Sequence, residues 1–252
     1  MAYKKGSRLN WLDAFRGITI ILMIIYHTCW DLVYIFGHDI PWFTGQKGYL
    51  LERIICCSFI LISGYAIGLS HHAVRRGVIV FICGVAVTIV TLVFMPESVI
   101  YIGILTFLGS AMIITALLDK GLKHTPAVFG IILSLILFFL FYHVNSGSLS
   151  FFGFQVATLS KNLYRNYFTA YLGFPFSGFF STDYFSILPW IFLYLTGYFI
   201  YQLTAGFAKK TAGPIHKWGV LSLLGRYSLE IYLAHQIVIY IVLSILNWAG
   251  IV

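Results

Sequence analysis

The first apolar segment carries ionisable residues at spacings that place them on one side of a helix. In "RGITIILMIIYHTCWDL", residues 16–32, Arg16 and His27 are eleven positions apart, which is about 20° around an α-helix. Asp13 and Asp31 fall about 40–60° to one side of that pair. Asp31 follows His27 by one turn, a spacing at which a carboxylate can orient an imidazole and raise its basicity. The pattern predicts a general base, His27, oriented by Asp31.

Each of these residues also has a purely structural interpretation. Asp13 and Arg16 are three residues apart at the start of the segment, where they suit an ion pair at the membrane surface. His27 suits a hydrogen-bonded histidine of the core. Ionisable side chains inside a membrane nearly always face the interior of a helix bundle or a water-filled cavity. We therefore expect this face to line a polar path that extends about 16 Å from Arg16 to His27.

The whole chain has the composition of an integral membrane protein. Its 252 residues are 60% hydrophobic and only 10% charged, and the mean hydropathy is +0.91, which leaves too little polar surface to cover a soluble globule. The net charge of +8 does not indicate nucleic-acid binding, because the basic residues lie between apolar runs.

Apolar stretches long enough to span a membrane define the predicted fold. A spanning helix needs about 20 mostly apolar residues. Seven stretches meet this requirement: 11–36, 48–70, 77–95, 99–118, 126–143, 184–203 and 227–248. The predicted fold class is all-α, a polytopic membrane protein with about seven transmembrane helices in one bundle and a single domain over residues 1–252.

The distribution of lysine and arginine predicts the orientation. With the N-terminus inside, the cytoplasmic segments hold twelve of the sixteen basic residues and the outer segments hold four. This bias favours a cytoplasmic N-terminus and an outer C-terminus, in the inner (plasma) membrane of the cell. The longest connection, about residues 144–183, then lies outside. It is rich in aromatic residues, and it either caps an outer cavity or lies in the membrane interface as an aromatic belt.

Five blocks of sequence carry a resemblance to a known family. The first runs from Arg8 to Leu32, and the others are "FILISG" (Phe59–Gly64), "YIGILTFLG" (Tyr101–Gly109), "DYFSILPW" (Asp183–Trp190) and "LGRYSLEIYLAHQ" (Leu224–Gln236). With these blocks the chain resembles the bacterial proteins that are similar to the catalytic domain of heparan-α-glucosaminide N-acetyltransferase. The blocks follow the family's order and cover nearly the whole chain. The first and last also resemble the wider group of membrane acyltransferases that decorate surface sugars.

The resemblance implies a membrane-embedded acyltransferase. Such an enzyme moves an acetyl group from cytosolic acetyl-CoA to an acceptor on the outer side, either an amino sugar or a sugar hydroxyl. The transfer is direct, with His27 as the base, or it passes through an acetylated histidine. In the family's eukaryotic branch the active histidine lies in the loop after the first helix, where this chain has His38. The position of His27 on the polar face favours His27, and the choice stays open.

The implied donor calls for basic groups at the cytoplasmic mouth, because CoA carries phosphates and arginine suits bidentate phosphate contacts. The candidates near the donor are Arg8, Asp13, Arg16, Arg75, Arg76, Arg226 and His235. For Arg75 and Arg76 the alternative is the ordinary excess of cytoplasmic positive charge. For His235 it is a hydrogen-bonded packing role in the last span.

Asp183 and Trp190 are the candidates for binding the acceptor. An N-cap of the sixth span also explains Asp183. No metal is expected, because His71 and His72 have no partners at ligand spacing.

A small transporter or proton-coupled carrier is the alternative function, since it also needs intramembrane His, Asp and Arg. Such proteins normally show repeat symmetry in matching halves, and no internal repeat is visible here. The expected partners are the acyl donor, the sugar-bearing acceptor and the lipid bilayer. The identity of the acceptor and the oligomeric state, including a homo-oligomer, stay open.

Overall fold

The protein is a helical membrane protein with seven spans. The computed structural model describes residues 9–210 and 219–251, and within these ranges seven helices are long and apolar enough to cross a membrane. They are α1 (Asn10–Tyr34), α3 (Gln46–Ile67), α4 (Ala73–Phe94), α5 (Ile104–Leu122), α6 (Ala127–Phe141), α8 (Ile187–Lys210) and α10 (Ser228–Trp248). The short elements are α2 (Pro41–Thr44), β1 (Ser148–Phe151), β2 (Phe154–Thr158), α7 (Tyr167–Leu172) and α9 (Gly219–Arg226). The predicted all-α fold with seven spans is confirmed, with helix ends that differ by several residues.

Proline sets some of these ends. α4 stops at Phe94, two residues before Pro96, because proline disfavours helical backbone at the residue before it. Pro126 directly precedes the first residue of α6. Its missing N–H group is not needed there, because the first turn of a helix has no internal acceptor for it. Between such ends the helices bond their backbone groups internally, as a spanning segment in lipid must.

The chain divides into two compact units. The terminal unit comprises Met1–Ile62 and Gly206–Val252, and the central unit comprises Ser63–Ala205. α3 begins in the terminal unit and ends in the central unit. The single-domain organisation over residues 1–252 stays a prediction.

In the terminal unit, glycines let α1 and α9 pack with their backbones in contact. A Cβ atom built on Gly17 would lie 2.0 Å from the carbonyl oxygen of Leu221. One built on Gly225 would lie 1.7 Å from the carbonyl oxygen of Asp13. Small residues at helix crossings permit such an approach, which is common in membranes.

A second part of α1 packs against α3 and α10. Ile20 and Met23 form a buried core with Ile55 of α3, and Ile231 and Tyr232 of α10 pack against it. α10 therefore lies along the part of α1 that directly precedes His27 and Asp31.

In the central unit α4 packs closely on α5, again at a glycine. A Cβ atom built on Gly84 would lie 2.5 Å from the backbone nitrogen of Thr106. α6 and α8 are joined by a buried hydrogen bond of 2.9 Å between the hydroxyl groups of Ser134 and Thr196. Close backbone contact and paired hydroxyls hold these helices together, because lipid supplies little hydrophobic drive between them.

The long connection after α6 contains a β-hairpin. β1 and β2 pair antiparallel, with Phe151 opposite Phe154. Phe152 and Gly153 between them have φ of 46° and 85°, the positive values that a two-residue type I′ turn requires. The Phe152 side chain is 73% exposed, and its ring stacks on Phe139 of α6 with centroids 5.5 Å apart. The tip of the hairpin thus lies against a spanning helix, and whether this connection caps an outer cavity or forms an aromatic belt stays open.

Candidate functional site

Four polar side chains of α1 and α10 meet inside the terminal unit. The imidazole rings of His27 and His235 have centroids 4.7 Å apart. Gln236 donates from Nε2 to Oδ1 of Asp31 over 2.6 Å. His27 and Asp31 are one turn apart on α1, and His235 and Gln236 are consecutive on α10, so each residue of one helix meets one of the other. We call these four residues the α1–α10 cluster.

Two residues of the α1–α10 cluster are buried, two are half-buried, and the cluster is incompletely hydrogen-bonded. Asp31 is 0% exposed and His235 is 8% exposed. Among the described residues, Oδ2 of Asp31, Nε2 of His235 and Oε1 of Gln236 are buried atoms without a hydrogen-bond partner. Such atoms are costly and rare in native proteins. All three belong to residues of the α1–α10 cluster, so this cluster has unused hydrogen-bonding capacity.

The hydrogen-bonding character of each unpaired atom follows from its neighbours. Nδ1 of His235 lies 2.5 Å from the carbonyl oxygen of Tyr232. Because a carbonyl oxygen only accepts, Nδ1 donates, and Nε2 of the neutral ring keeps its lone pair. The unpaired atoms of Gln236 and Asp31 are an amide oxygen and a carboxyl oxygen, which also accept. Each of the three atoms therefore lacks a group that donates a hydrogen bond to it.

Asp31 contacts Gln236 rather than His27. The sequence predicts that Asp31 orients His27, but no hydrogen bond joins these two side chains, both of which lie in the described range 9–210. The physical reason lies in α10, which offers an amide donor to the carboxylate and an imidazole ring to His27. His235 was predicted near the donor or as a packing residue, and the structure brings it to His27. The contact of Gln236 with Asp31 was not predicted, although an amide beside a histidine in an apolar span is a signal for a polar contact between helices.

Asp13 and Arg16, at the other end of the predicted polar face, form an ion pair. Nη1 of Arg16 lies 3.2 Å from Oδ1 of Asp13, and Asp13 is buried beside Gly225 of α9. Arg226 is exposed at the last residue of α9, and Arg8 lies outside the described residues. A role of these residues in donor binding stays a prediction.

His38 lies in the loop after α1, and its side chain is exposed. Its backbone N–H donates to the carbonyl oxygen of Leu32 over 2.9 Å. His27 is half-buried within α1 and contacts His235. Of the two candidate histidines, His27 belongs to the α1–α10 cluster and His38 does not.

The central unit holds a cavity of about 660 Å³, a size typical of small-molecule sites. Its lining includes the basic side chains of His71, His72, Arg75 and Lys123. Arg75 and Arg76 were both predicted to contact phosphate. Arg76 is exposed and does not line the cavity. His71 and His72 lie in the short connection before α4.

On one side of this cavity, polar side chains form an ion pair and a hydrogen bond with one another. Lys123 forms an ion pair with Asp119, and the Tyr198 hydroxyl donates to Oδ1 of Asp119 over 2.8 Å. Thr115 also lines the cavity, and its buried hydroxyl has no partner within the described part of the chain. The cavity therefore offers cationic side chains and a free hydroxyl to a ligand.

Asp183 and Trp190 have contacts that are structural. Oδ2 of Asp183 accepts from the backbone N–H of Ile104 over 3.0 Å, which satisfies the first turn of α5 rather than that of α8. The Trp190 side chain is buried between Phe138 and Phe185, with ring centroids 5.6 and 5.0 Å away. A role for either residue in acceptor binding stays a prediction.

The sequence as a whole matches a known protein family. A family model described as heparan-alpha-glucosaminide N-acetyltransferase, catalytic, matches residues 8–237. The chain belongs to this family. It is a multi-pass membrane protein of an acetyltransferase family, as the resemblance implied. No curated protein and no solved structure matches the chain significantly.

The matched region of this glucosaminide N-acetyltransferase family member contains both sites. The α1–α10 cluster and the lining of the cavity lie entirely within residues 8–237. In the residues that the structure describes, no group of three or more His, Cys, Asp or Glu side chains is arranged to hold a metal ion.

Proposed function

We propose that the chain transfers the acetyl group of acetyl-CoA to a primary amine, and that the transfer takes place at the α1–α10 cluster. The three unpaired acceptor atoms of Asp31, His235 and Gln236 carry this proposal. A protonated amine has three N–H donors and a positive charge, which match three acceptors that include a carboxylate. A hydroxyl has one donor and leaves the other acceptors unpaired. An amino sugar combines such an amine with the carbohydrate named in the family's description.

His27 is the proposed general base of the transfer. The amine nitrogen must lose a proton as it attacks the thioester carbonyl, and a positioned imidazole is the commonest group for this task. His27 lies beside His235 in the α1–α10 cluster, and Asp31 holds the charged amine before the transfer. Transfer in one step needs nothing further, whereas an acetylated His27 would appear as a covalent intermediate.

Separately from the α1–α10 cluster, the cavity of the central unit is proposed as a phosphate-binding site, and the donor carries phosphates. Arg75 offers a planar fork that suits phosphate oxygens, and Lys123 and the two histidines add positive charge. α4 begins and α5 ends beside this cavity. The bias of basic residues supports a cytoplasmic position for these helix ends, on the side where acetyl-CoA is available.

In the proposed topology, the N-terminus lies in the cytoplasm and the C-terminus lies outside the plasma membrane. An epitope tag after Val252 should be labelled by antibody on intact spheroplasts, whereas a tag before Met1 should need permeabilised cells. Labelling of the N-terminal tag alone on intact spheroplasts would overturn the orientation.

Acetyl transfer by the purified full-length chain in nanodiscs tests the reaction, with acetyl-CoA and glucosamine as probes. Asp31→Asn should lower kcat/KM about 10- to 100-fold, because it removes the charge that pairs with the ammonium. Glu97→Gln removes a carboxylate at an exposed position and is the matched control, with an unchanged rate. Absence of transfer to any amine refutes the proposal. Solute flux across vesicles without acetyl transfer favours the carrier instead.

Binding of acetyl-CoA tests the donor site separately. Arg75→Gln should weaken binding about tenfold or more, the value of a lost charge-assisted hydrogen bond. Lys120→Gln removes a positive charge from an exposed residue outside the cavity lining and should leave the Kd unchanged. Equal losses in Arg75→Gln and Arg76→Gln would show that general positive charge, and not a contact in the cavity, holds the donor.

A further inference from the structure

The α1–α10 cluster contains two imidazoles, His27 and His235, and an ammonium acceptor has two protons to lose. A protonated amine that becomes an amide nitrogen loses two protons, whereas a hydroxyl that becomes an ester oxygen loses one. The proposed function assigns one of these protons to His27. We infer that Nε2 of His235 takes the other proton, before the amine attacks. This inference rests on the proposed amine acetylation and adds a second base to it.

His235 is held in the form that accepts a proton at Nε2. Its Nδ1 lies 2.5 Å from the carbonyl oxygen of Tyr232, so the ring hydrogen is on Nδ1. The residue is 8% exposed, and Nε2 has no partner within the described residues. A lone pair that is fixed in orientation and free of a protein donor is what a base requires.

Gln236 is a positioning residue for the carboxylate that holds the ammonium. Its Nε2 donates to Oδ1 of Asp31 over 2.6 Å, which leaves Oδ2 of Asp31 and its own Oε1 as acceptors. The titratable group that faces His235 from α1 is His27, whose ring centroid lies 4.7 Å away.

The steps balance without a further reactant. Nε2 of His235 removes one proton from R–NH₃⁺, which leaves a neutral amine and an imidazolium. The lone pair of the amine forms the C–N bond to the thioester carbonyl carbon, and the C–S bond breaks with its electrons on sulfur. The second N–H proton passes to His27 and from it to the thiolate, so that CoA leaves as the thiol. His235 returns its proton to water when the product has left.

The ionisation of the acceptor amine gives the test. His235→Asn is compared with His124→Asn, the same replacement at an exposed histidine outside the cluster. The purified full-length chain in nanodiscs is assayed with acetyl-CoA and glucosamine about one pH unit below and about one pH unit above the pKa of the amine. Below that pKa most of the amine is ammonium and depends on the enzyme for deprotonation, and above it most arrives neutral.

His235→Asn should lose about 100-fold in kcat/KM at the lower pH, the contribution of a positioned base. At the higher pH the loss should shrink to less than about tenfold. His27→Asn should lose activity at both pH values, and His124→Asn at neither. An equal loss in His235→Asn at both pH values would show a packing role and overturn the inference, as would no loss at either.

Nitrogen-15 NMR of histidine-labelled protein tests the ring form independently of turnover. The resonances that disappear in His235→Asn should report a protonated Nδ1 and a bare Nε2, and a proton on Nε2 overturns the inference. If the wild-type chain acetylates no amine, the proposed function fails and the inference with it. If wild type is active and His235→Asn matches it at both pH values, the inference alone fails.

Discussion

Replacing Gln236 with leucine takes away the hydrogen bond that the Asp31 side chain receives from α10. Among the described residues, the Asp31 carboxyl group has only this hydrogen bond of 2.6 Å, since its Oδ2 has no partner. Asp31 is 0% exposed, so bulk water does not replace the lost donor. Leucine is similar to glutamine in volume, and the change therefore removes the amide with little change in packing.

The expected loss in the free energy of unfolding is about 1.5 kcal/mol. A hydrogen bond to a charged group contributes about 1.5–3 kcal/mol in proteins. In membranes the unfolded chain also finds partners, and measured couplings between helices reach only about 1.7 kcal/mol. The two ranges overlap near ~1.5 kcal/mol, which is roughly a tenfold change in the unfolding constant.

A double-mutant cycle isolates this contribution. Sodium dodecyl sulfate is titrated into the detergent-solubilised chain, and helix content is followed by circular dichroism. Wild type, Gln236→Leu, Asp31→Leu and the double variant are compared, since the coupling energy is the part that the two single losses share. Gln155→Leu is the matched control, because its amide donates a 2.7 Å bond to Thr158 at an exposed position. Its free energy of unfolding should change by less than about 0.5 kcal/mol.

Two outcomes would refute this reasoning. One is a Gln236→Leu variant as stable as wild type. The other is a double variant whose loss is the plain sum of the two single losses, which would mean that Asp31 and Gln236 do not interact in the folded chain.

Three further predictions concern the rest of the fold. Gly225→Ala should destabilise the chain by about 1–3 kcal/mol, because its Cβ would lie 1.7 Å from a carbonyl oxygen of α1. Gly121→Ala, with open space at its Cβ, is the control. Equal melting temperatures of the two variants would contradict the close crossing of α1 and α9. Asp183→Ala should cost about 1 kcal/mol in thermal unfolding through the lost acceptor at the start of α5, and an unchanged Tm would exclude that role. Benzoylphenylalanine in place of Phe152 should crosslink to phospholipid, as mass spectrometry can show, and crosslinks to protein alone would remove the hairpin from the membrane interface.

The spans were predictable because lipid imposes a local rule. A segment in hydrocarbon must bond its own backbone, so that its length and apolar composition are enough to identify it. α6 (Ala127–Phe141) matches the predicted stretch 126–143 closely. The glycine contact between Gly225 and α1 was not predictable in this way, because it depends on which helices cross and at what distance.

Of the α1–α10 cluster, the sequence predicted a catalytic pair only on the first helix, and it predicted His235 as a donor-site or packing residue. His27 and Asp31 stand out because they are ionisable residues in an apolar run. The partner of Asp31 lies 205 positions later in the chain, and Gln236 carries no charge that would draw attention to it. Its role emerges only when α1 and α10 are placed side by side.

Asp183 shows the same limit of local reasoning. Its position just before the sixth span suggests an N-cap for the helix that follows it in sequence. In the structure it caps α5, whose first residue, Ile104, lies 79 positions earlier. A carboxylate satisfies the helix terminus that is nearest in space, and sequence alone gives only the terminus nearest along the chain.

The central claim is that the α1–α10 cluster binds an ammonium group and directs the acetyl group to nitrogen. The most direct measurement is a competition in one reaction, in which the wild-type chain in nanodiscs receives isotope-labelled acetyl-CoA with equal concentrations of glucosamine and glucose. Fragmentation mass spectrometry then locates the label. The three acceptors of Asp31, His235 and Gln236 predict label on the amine nitrogen of glucosamine, with none on glucose. Label on the hydroxyl groups of both sugars, or intact acetyl-CoA with no labelled product, would contradict it.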